Sequence, residues 1–251
     1  MCTSNLAGMP LTLERTLAAI SAHSHGLADD ARGNLAARVE HCPDWNVGDL
    51  VWHVTEVHWF WRTIAGERLS APVDESRRPT RPTDDDLLET FLSGAEDLVE
   101  TLRTADQSAA CWTWFPPQQE VAFITRHQVQ EAAVHHFDAA NAAGHEIAID
   151  PEVADDCVEE FLTTSLAEAD DVARLGRTLD GELVLRSTDT KRVWTVRQET
   201  PEAALTWEDG GRRPTVEGTS AELILWVYGR VDLPVADADL VQRFRSLSST
   251  D

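Results

Sequence analysis

Four stretches ahead of residue 145 place apolar side chains every three or four positions, each bounded by a helix cap or breaker. A chain that repeats this spacing four times is confined to packing helix against helix. The clearest stripe is Leu50, Val54, Val57, Trp61 and Ile64, opened by the cap Asn46 with Asp49 in the first turn. Leu13, Leu17, Ile20 and Leu27 form an earlier one, and a break at His41-Cys42-Pro43 separates the two. After a Pro/Arg loop from Pro72 to Pro82, Thr83 is placed as a cap with Asp84, Asp85 and Asp86 behind it. Leu88, Phe91, Leu92, Ala95, Leu98, Val99 and Leu102 then supply an apolar face. A fourth helix is expected from about Thr125 to Ala143, stopped by Gly144.

Beyond this point the pattern changes. Asp150-Pro151 opens another helix as cap and N1 proline. Short strand-like runs follow at Gly181–Ser187, Arg192–Gln198 and Ala203–Trp207, and Val216 is placed at the end of a further strand. Thr219 and Glu222 make a capping box for a helix through Tyr228. All nine histidines lie between His23 and His145. Composition and pattern therefore divide the chain at residue 147, with a helical bundle over 1–147 and a smaller α+β domain over 148–251. The fold class is mainly α, in two domains.

Charge narrows the partners. The 44 Asp+Glu against 21 Lys+Arg give a formal net charge of −23 in 251 residues. Such a surface repels phosphate backbones and anionic headgroups, so neither nucleic acid nor a membrane is an expected partner. A hydrophobic fraction of 42% nevertheless supports an ordinary core. Val47 to Ala65, the most apolar stretch, is interrupted by Asp49, His53, Glu56, His58 and Arg62, and Met1 to Leu6 has neither the basic nor the apolar run of a secretion signal. Cys2, Cys42, Cys111 and Cys157 are scattered and form no C-x-x-C pair, which points to a reduced, cytoplasmic setting.

The segment with most chemistry is Arg126 to Asp138. At about 100° per residue, Gln128, Glu131, His135 and Asp138 share one helix face. His53 lies at the edge of the second helix's apolar stripe. Two imidazoles and one carboxylate would make a zinc site with an open position, and Asp138 could orient a ligand imidazole. Each feature also has a plain structural explanation. A histidine on an apolar stripe can be a satisfied core residue, and Glu with His at i,i+4 can be an exposed pair. Trp52 and Trp59 are expected to pack against another helix or the second domain, with a lining role in a thiol pocket as the alternative. His23, His25, His58, His127, His136 and His145 have no partner recognisable from sequence.

A resemblance goes further. Cys42-Pro43-Asp44-Trp45-Asn46-Val47-Gly48-Asp49-Leu50-Val51-Trp52-His53 is similar to a C-P-x-W-x-V-x-D-L-x-x-H segment of the mycothiol-dependent maleylpyruvate isomerase family. Glu131 to His135 with Asp138-Ala139 resembles that family's second metal-binding helix, and Gly218-Thr219 through Gly229-Arg230 resembles its C-terminal G-T-x-x-E-L-x-L-W-x-x-G-R segment. The resemblance implies a DinB-like four-helix bundle with a divalent metal, most often zinc (Zn2+), held by His53, Glu131 and His135. It also implies mycothiol as thiol cofactor or co-substrate, a small-molecule electrophile as substrate, and a monomer or homodimer.

In such an enzyme the thiolate adds to the substrate and is either expelled after cis-trans isomerisation or retained by S-transfer. A DinB-like metal-dependent hydrolase and a non-catalytic thiol or small-molecule binding module are the alternatives on the same bundle. For an anionic substrate, Arg230 could bind a carboxylate, or simply favour a helix C-terminus. Arg77, Arg78 and Arg81 of the Pro/Arg loop could do the same, or be surface charge.

Overall fold

The computed structural model describes residues 11–248, so Cys2 and the segment Met1 to Leu6 lie outside the described residues. Two compact units divide the chain, one over Leu11–Ala148 and one over the residues from Ile149 onward.

The first unit is built from α1 (Leu13–Ala31), α2 (Val47–Glu67), α3 (Asp84–Thr104) and α4 (Val121–Ala143). Thr12 caps α1 by accepting from the Arg15 amide. Asn46 and Asp49 form a reciprocal capping box at the start of α2, satisfying two amides that the helix cannot. Thr83 behaves differently from expectation: it makes no side-chain bond to the backbone of α3, and its hydroxyl instead donates to Asp86 at 3.0 Å. Helix α4 begins at Val121, four residues ahead of the sequence estimate, and ends at Gly144, whose φ of 74° is the left-handed stop expected of glycine. Its early start was hidden because α4 is buried on almost every side, Gln128, Gln130 and Asp138 included, so no clean apolar stripe marks its limits.

α1 packs chiefly on α4, and α2 on α3. Leu17, Ile20, Leu27, Leu50, Val54, Leu87, Phe91 and Ile124 are fully enclosed between them. Truncating any one of these large side chains to alanine costs roughly 2–5 kcal/mol.

The second unit opens with α5 (Pro151–Thr164), capped by Asp150 onto the Glu152 and Val153 amides. Its sheet has the order β3-β2-β1-β4, with β1 (Leu183–Ser187), β2 (Val193–Gln198) and β3 (Leu205–Asp209) antiparallel and β4 (Val216–Gly218) parallel to β1. Val216 therefore begins its strand rather than ending it, because it pairs with Leu185 while the backbone of Thr215 is still bonding Val184. Helix α7 (Ser220–Val227) carries the Thr219–Glu222 capping box and packs on α5. Two helices were not foreseen, α6 (Ala169–Leu175) and α8 (Ala238–Arg245). Both are short, and only one to three residues of each are buried, leaving little periodicity to read.

A polar knot ties these elements together. The Ser220 hydroxyl donates to Asp155 at 2.6 Å, and Asp189 accepts from the Ser187 hydroxyl and from the Thr190 and Ser220 amides. Burial pushes the Asp189 carboxyl up, but these donors outweigh it and hold the group at about 2.

Where α1 meets α4, Gly26 is forced by packing. A Cβ there would lie 2.3 Å from His136 Cε1, and the ring cannot retreat easily because it reaches His23 Nδ1 at 3.0 Å and Asp30 at 3.2 Å. Gly26→Ala should lower stability by about 1–3 kcal/mol despite alanine's better helix propensity. Urea unfolding of the two proteins decides it, and an alanine variant as stable as wild type would contradict the forced contact.

Candidate metal centre

His53 comes from α2, and Glu131 and His135 come from successive turns of α4. One donor atom from each falls within 4.8 Å of the other two. His53 and His135 meet edge to face, with ring centroids 5.2 Å apart. The His53 ring also lies against Trp45, centroids 4.8 Å apart, so the tryptophan just ahead of α2 fixes its orientation.

His135 is held from behind. Its Nδ1 is 3.2 Å from Asp138 Oδ2, and an ionised carboxylate only accepts, so Nδ1 carries the proton. With Nδ1 bonded to Asp138, Nε2 is the ring nitrogen left on the side of Glu131 Oε2, 3.5 Å distant. A tetrahedral ion with bonds near 2 Å separates its ligand atoms by roughly 3.3 Å, so the spacing suits one. The donor set of two imidazole nitrogens and one carboxylate oxygen fits zinc and related divalent ions. Asp138 is in turn 3.6 Å from His41 Nδ1, which places a second imidazole on its far oxygen.

The electrostatics follow from this crowding. Burial pushes the Glu131 carboxyl up, but His135, His127, His53 and His58 outweigh it and leave the group below its ordinary value. His53 is shifted down by burial and by His135, against Glu131 and Glu56. His58, fully enclosed and stacked on Phe91 at 5.5 Å, is pushed down to about 4, mainly by burial, and neither ring nitrogen has a hydrogen-bond partner.

The remaining sequence-derived residues lie elsewhere. Arg77, Arg78 and Arg81 all face carboxylates, namely Glu67, Glu56 and Asp49. Arg230 belongs to the second unit, where its guanidinium donates to the Tyr228 carbonyl at 2.9 Å. Trp52 and Trp59 line a cavity of about 500 Å³ with Arg62, Asp86, Glu89 and Asp97, between α2 and α3. Helical spacing puts Trp59 and Arg62 more than 100° around α2 from His53. Cys111 and Cys157 are buried, and burial raises the Cys111 thiol.

Sequence reasoning missed His127, His41, Trp45 and His58 as neighbours of the cluster. His127 stands four residues before Glu131, a spacing that could have revealed it. His41 and Trp45 sit in a connector and His58 faces inward, so no periodicity pointed to them.

A four-helix bundle with a half-buried His–Glu–His cluster, followed by an α+β unit, is thus the architecture that this chain defines. A family model described as the mycothiol maleylpyruvate isomerase N-terminal domain matches residues 15–140, and the chain belongs to that family. The crystal structure of the mycothiol-dependent maleylpyruvate isomerase is similar over 90% of this chain and 93% of that one, at a TM-score of 0.58 and 14% identity. A histidine-to-alanine mutant of that enzyme is similar over the same shares, at a TM-score of 0.58 and 13% identity. At such identities the likeness is one of fold. No curated protein matches the chain. Among the described residues no helix is long and apolar enough to cross a membrane.

His58 makes stability depend on pH. Its ordinary value is 6.5 and its folded value about 4, so between these limits the unfolded chain binds the extra proton. Stability therefore rises with pH across that window and falls as pH drops from about 6.5 to about 4. His58→Phe keeps the stacking on Phe91 and should recover about 3 kcal/mol at pH 4 relative to neutral pH. His23, also lowered to about 4 by burial and His136, should leave a residual slope. Unfolding free energies at pH 7 and pH 4 test this, and equal losses in wild type and variant would exclude His58 as the source.

Proposed function

We propose that the chain is a metal-dependent enzyme that uses mycothiol to attack a small electrophilic substrate, in the manner of a maleylpyruvate isomerase. The observation that carries this reading is the convergence of His53, Glu131 and His135 donors within 4.8 Å, with His135 Nε2 3.5 Å from Glu131 Oε2. In it, these three residues hold a divalent ion, zinc by donor type, and Asp138 holds the His135 tautomer. When bound, the cation supplies the positive charge that turns a thiol into its nucleophilic thiolate near neutral pH.

The chain's own contribution is order and dryness. Glu131 is kept ionised by the imidazoles around it, and His53 is kept neutral by burial and by His135, so both remain competent donors. Trp45 fixes the plane of His53. In the isomerase reaction the thiolate adds to one carbon of a cis double bond and the electron pair moves onto the conjugated carbonyl. Rotation about the resulting single bond and expulsion of the thiolate then leave the trans product. In S-transfer the new carbon–sulfur bond is kept. Arg230 is our assignment for the substrate carboxylate, by its place in the family-like C-terminal segment.

Purified protein should contain about one divalent ion per chain, and His53→Ala and His135→Ala should each abolish it. Unchanged metal content in both variants would remove the site assignment. Turnover of maleylpyruvate or of a model electrophile should require mycothiol and fall at least 100-fold in the same variants. Thiol-independent turnover would indicate a hydrolase instead, and no turnover with any thiol would indicate a binding module.

A further inference from the structure

Each oxygen of Glu131 faces a different imidazole. Oε2 is 3.5 Å from His135, whereas Oε1 is 3.6 Å from His127 Nε2, one turn earlier on the same face of α4. The other nitrogen of His127 settles which way its proton points. Nδ1 is 3.0 Å from the amide nitrogen of Gln130, and an amide nitrogen only donates. Nδ1 therefore accepts, and the proton of the neutral ring resides on Nε2, aimed at Glu131.

The ring is fixed by its surroundings. Phe123 stacks on it at 5.7 Å and 14°, and Trp61 and Trp114 meet it edge to face at 5.9 and 5.6 Å. Only 8% of the His127 side chain is exposed. An aromatic enclosure of this kind would be filled equally well by phenylalanine. What phenylalanine cannot supply is an N–H at Oε1.

We propose that His127 is a positioning residue for Glu131. Its Nε2–H faces one carboxylate oxygen across 3.6 Å, a charge–dipole contact longer than a hydrogen bond that favours keeping the other oxygen on the His135 side, and Gln130 sets the tautomer that makes this possible. The proposal rests on the metal-centre reading above and adds a residue to it from outside the three ligands. Carboxylate ligands that lose such support bind metal about 10–100-fold more weakly.

The test is Zn2+ affinity, measured by competition with a chromophoric chelator, alongside thermal unfolding of the metal-free protein. His127→Phe should weaken Zn2+ binding 10–100-fold while the metal-free unfolding midpoint stays at or above that of wild type. His127→Gln, whose amide reaches the place of Nε2, should recover at least tenfold of that loss. Gln130→Met, which leaves the aromatic enclosure intact, should weaken binding several-fold and serves as the readout should His127→Phe fail to fold. Wild-type affinity in both His127→Phe and Gln130→Met, or no recovery with glutamine, would overturn the proposal. Wild-type affinity no greater than that of His53→Ala would instead overturn the metal centre itself, and the role of His127 with it.

Discussion

A carboxylate set among packed helices is costly to keep ionised, by several kcal/mol, unless partners replace the water it has lost. Glu131 is that carboxylate here, and the inner architecture of the bundle can be read as the set of partners it requires. His135 and His127 reach it from its own helix, one turn to either side, and His53 and His58 bear on it from α2. None of these imidazoles could serve if it were free to turn. Asp138, Trp45, Gln130 and Phe91 each hold one of them. The packing that stabilises the bundle is thus also the packing that orients the polar cluster.

This explains an otherwise awkward feature of α4. A helix with Gln128, Gln130, His135 and Asp138 all buried lacks the apolar face that ordinarily drives packing. Its small residues Ala132, Ala133, Ala139 and Ala140 compensate by letting the neighbouring helices approach closely, and dispersion contacts replace side-chain bulk. Gly26 does the same on α1, where it leaves room for His136. Polar chemistry inside the bundle and small residues at its interfaces are two sides of one solution.

How much of this was legible beforehand follows the same division. Caps and apolar stripes act locally, so Asn46, Asp150, Thr219 and Gly144 marked their helix ends correctly. The shared face of Glu131, His135 and Asp138 was legible because 3.6-residue periodicity is a property of one helix. That His53 meets this face depends on how α2 packs beside α4, and the sequence could offer it only as an edge position and through family resemblance. His41, Trp45 and His58 became visible only in three dimensions. Val216 misled because the two ends of a strand look alike in sequence, whereas Thr83 marked the start of α3 correctly but makes no side-chain bond to its backbone.

Charge shows the difference between surface and site most clearly. With a formal net charge of −23, the protein repels anions at long range. At physiological salt, screening over about 8 Å confines that repulsion to the approach and leaves the site itself to short-range partners. The loop arginines cannot supply them, since Arg77, Arg78 and Arg81 already answer carboxylates of the same unit. Nor do the imidazoles in their neutral forms, which burial favours for His53 and His58. In the proposed reading, positive charge at the cluster comes from the cation that its three donors would hold. A centre built from one ionised carboxylate and neutral imidazoles has a net charge of about −1 when empty and about +1 with a divalent cation in place. In that reading the same three side chains would repel an anionic thiolate when empty and attract it when loaded, so recognition of an anion would turn on occupancy.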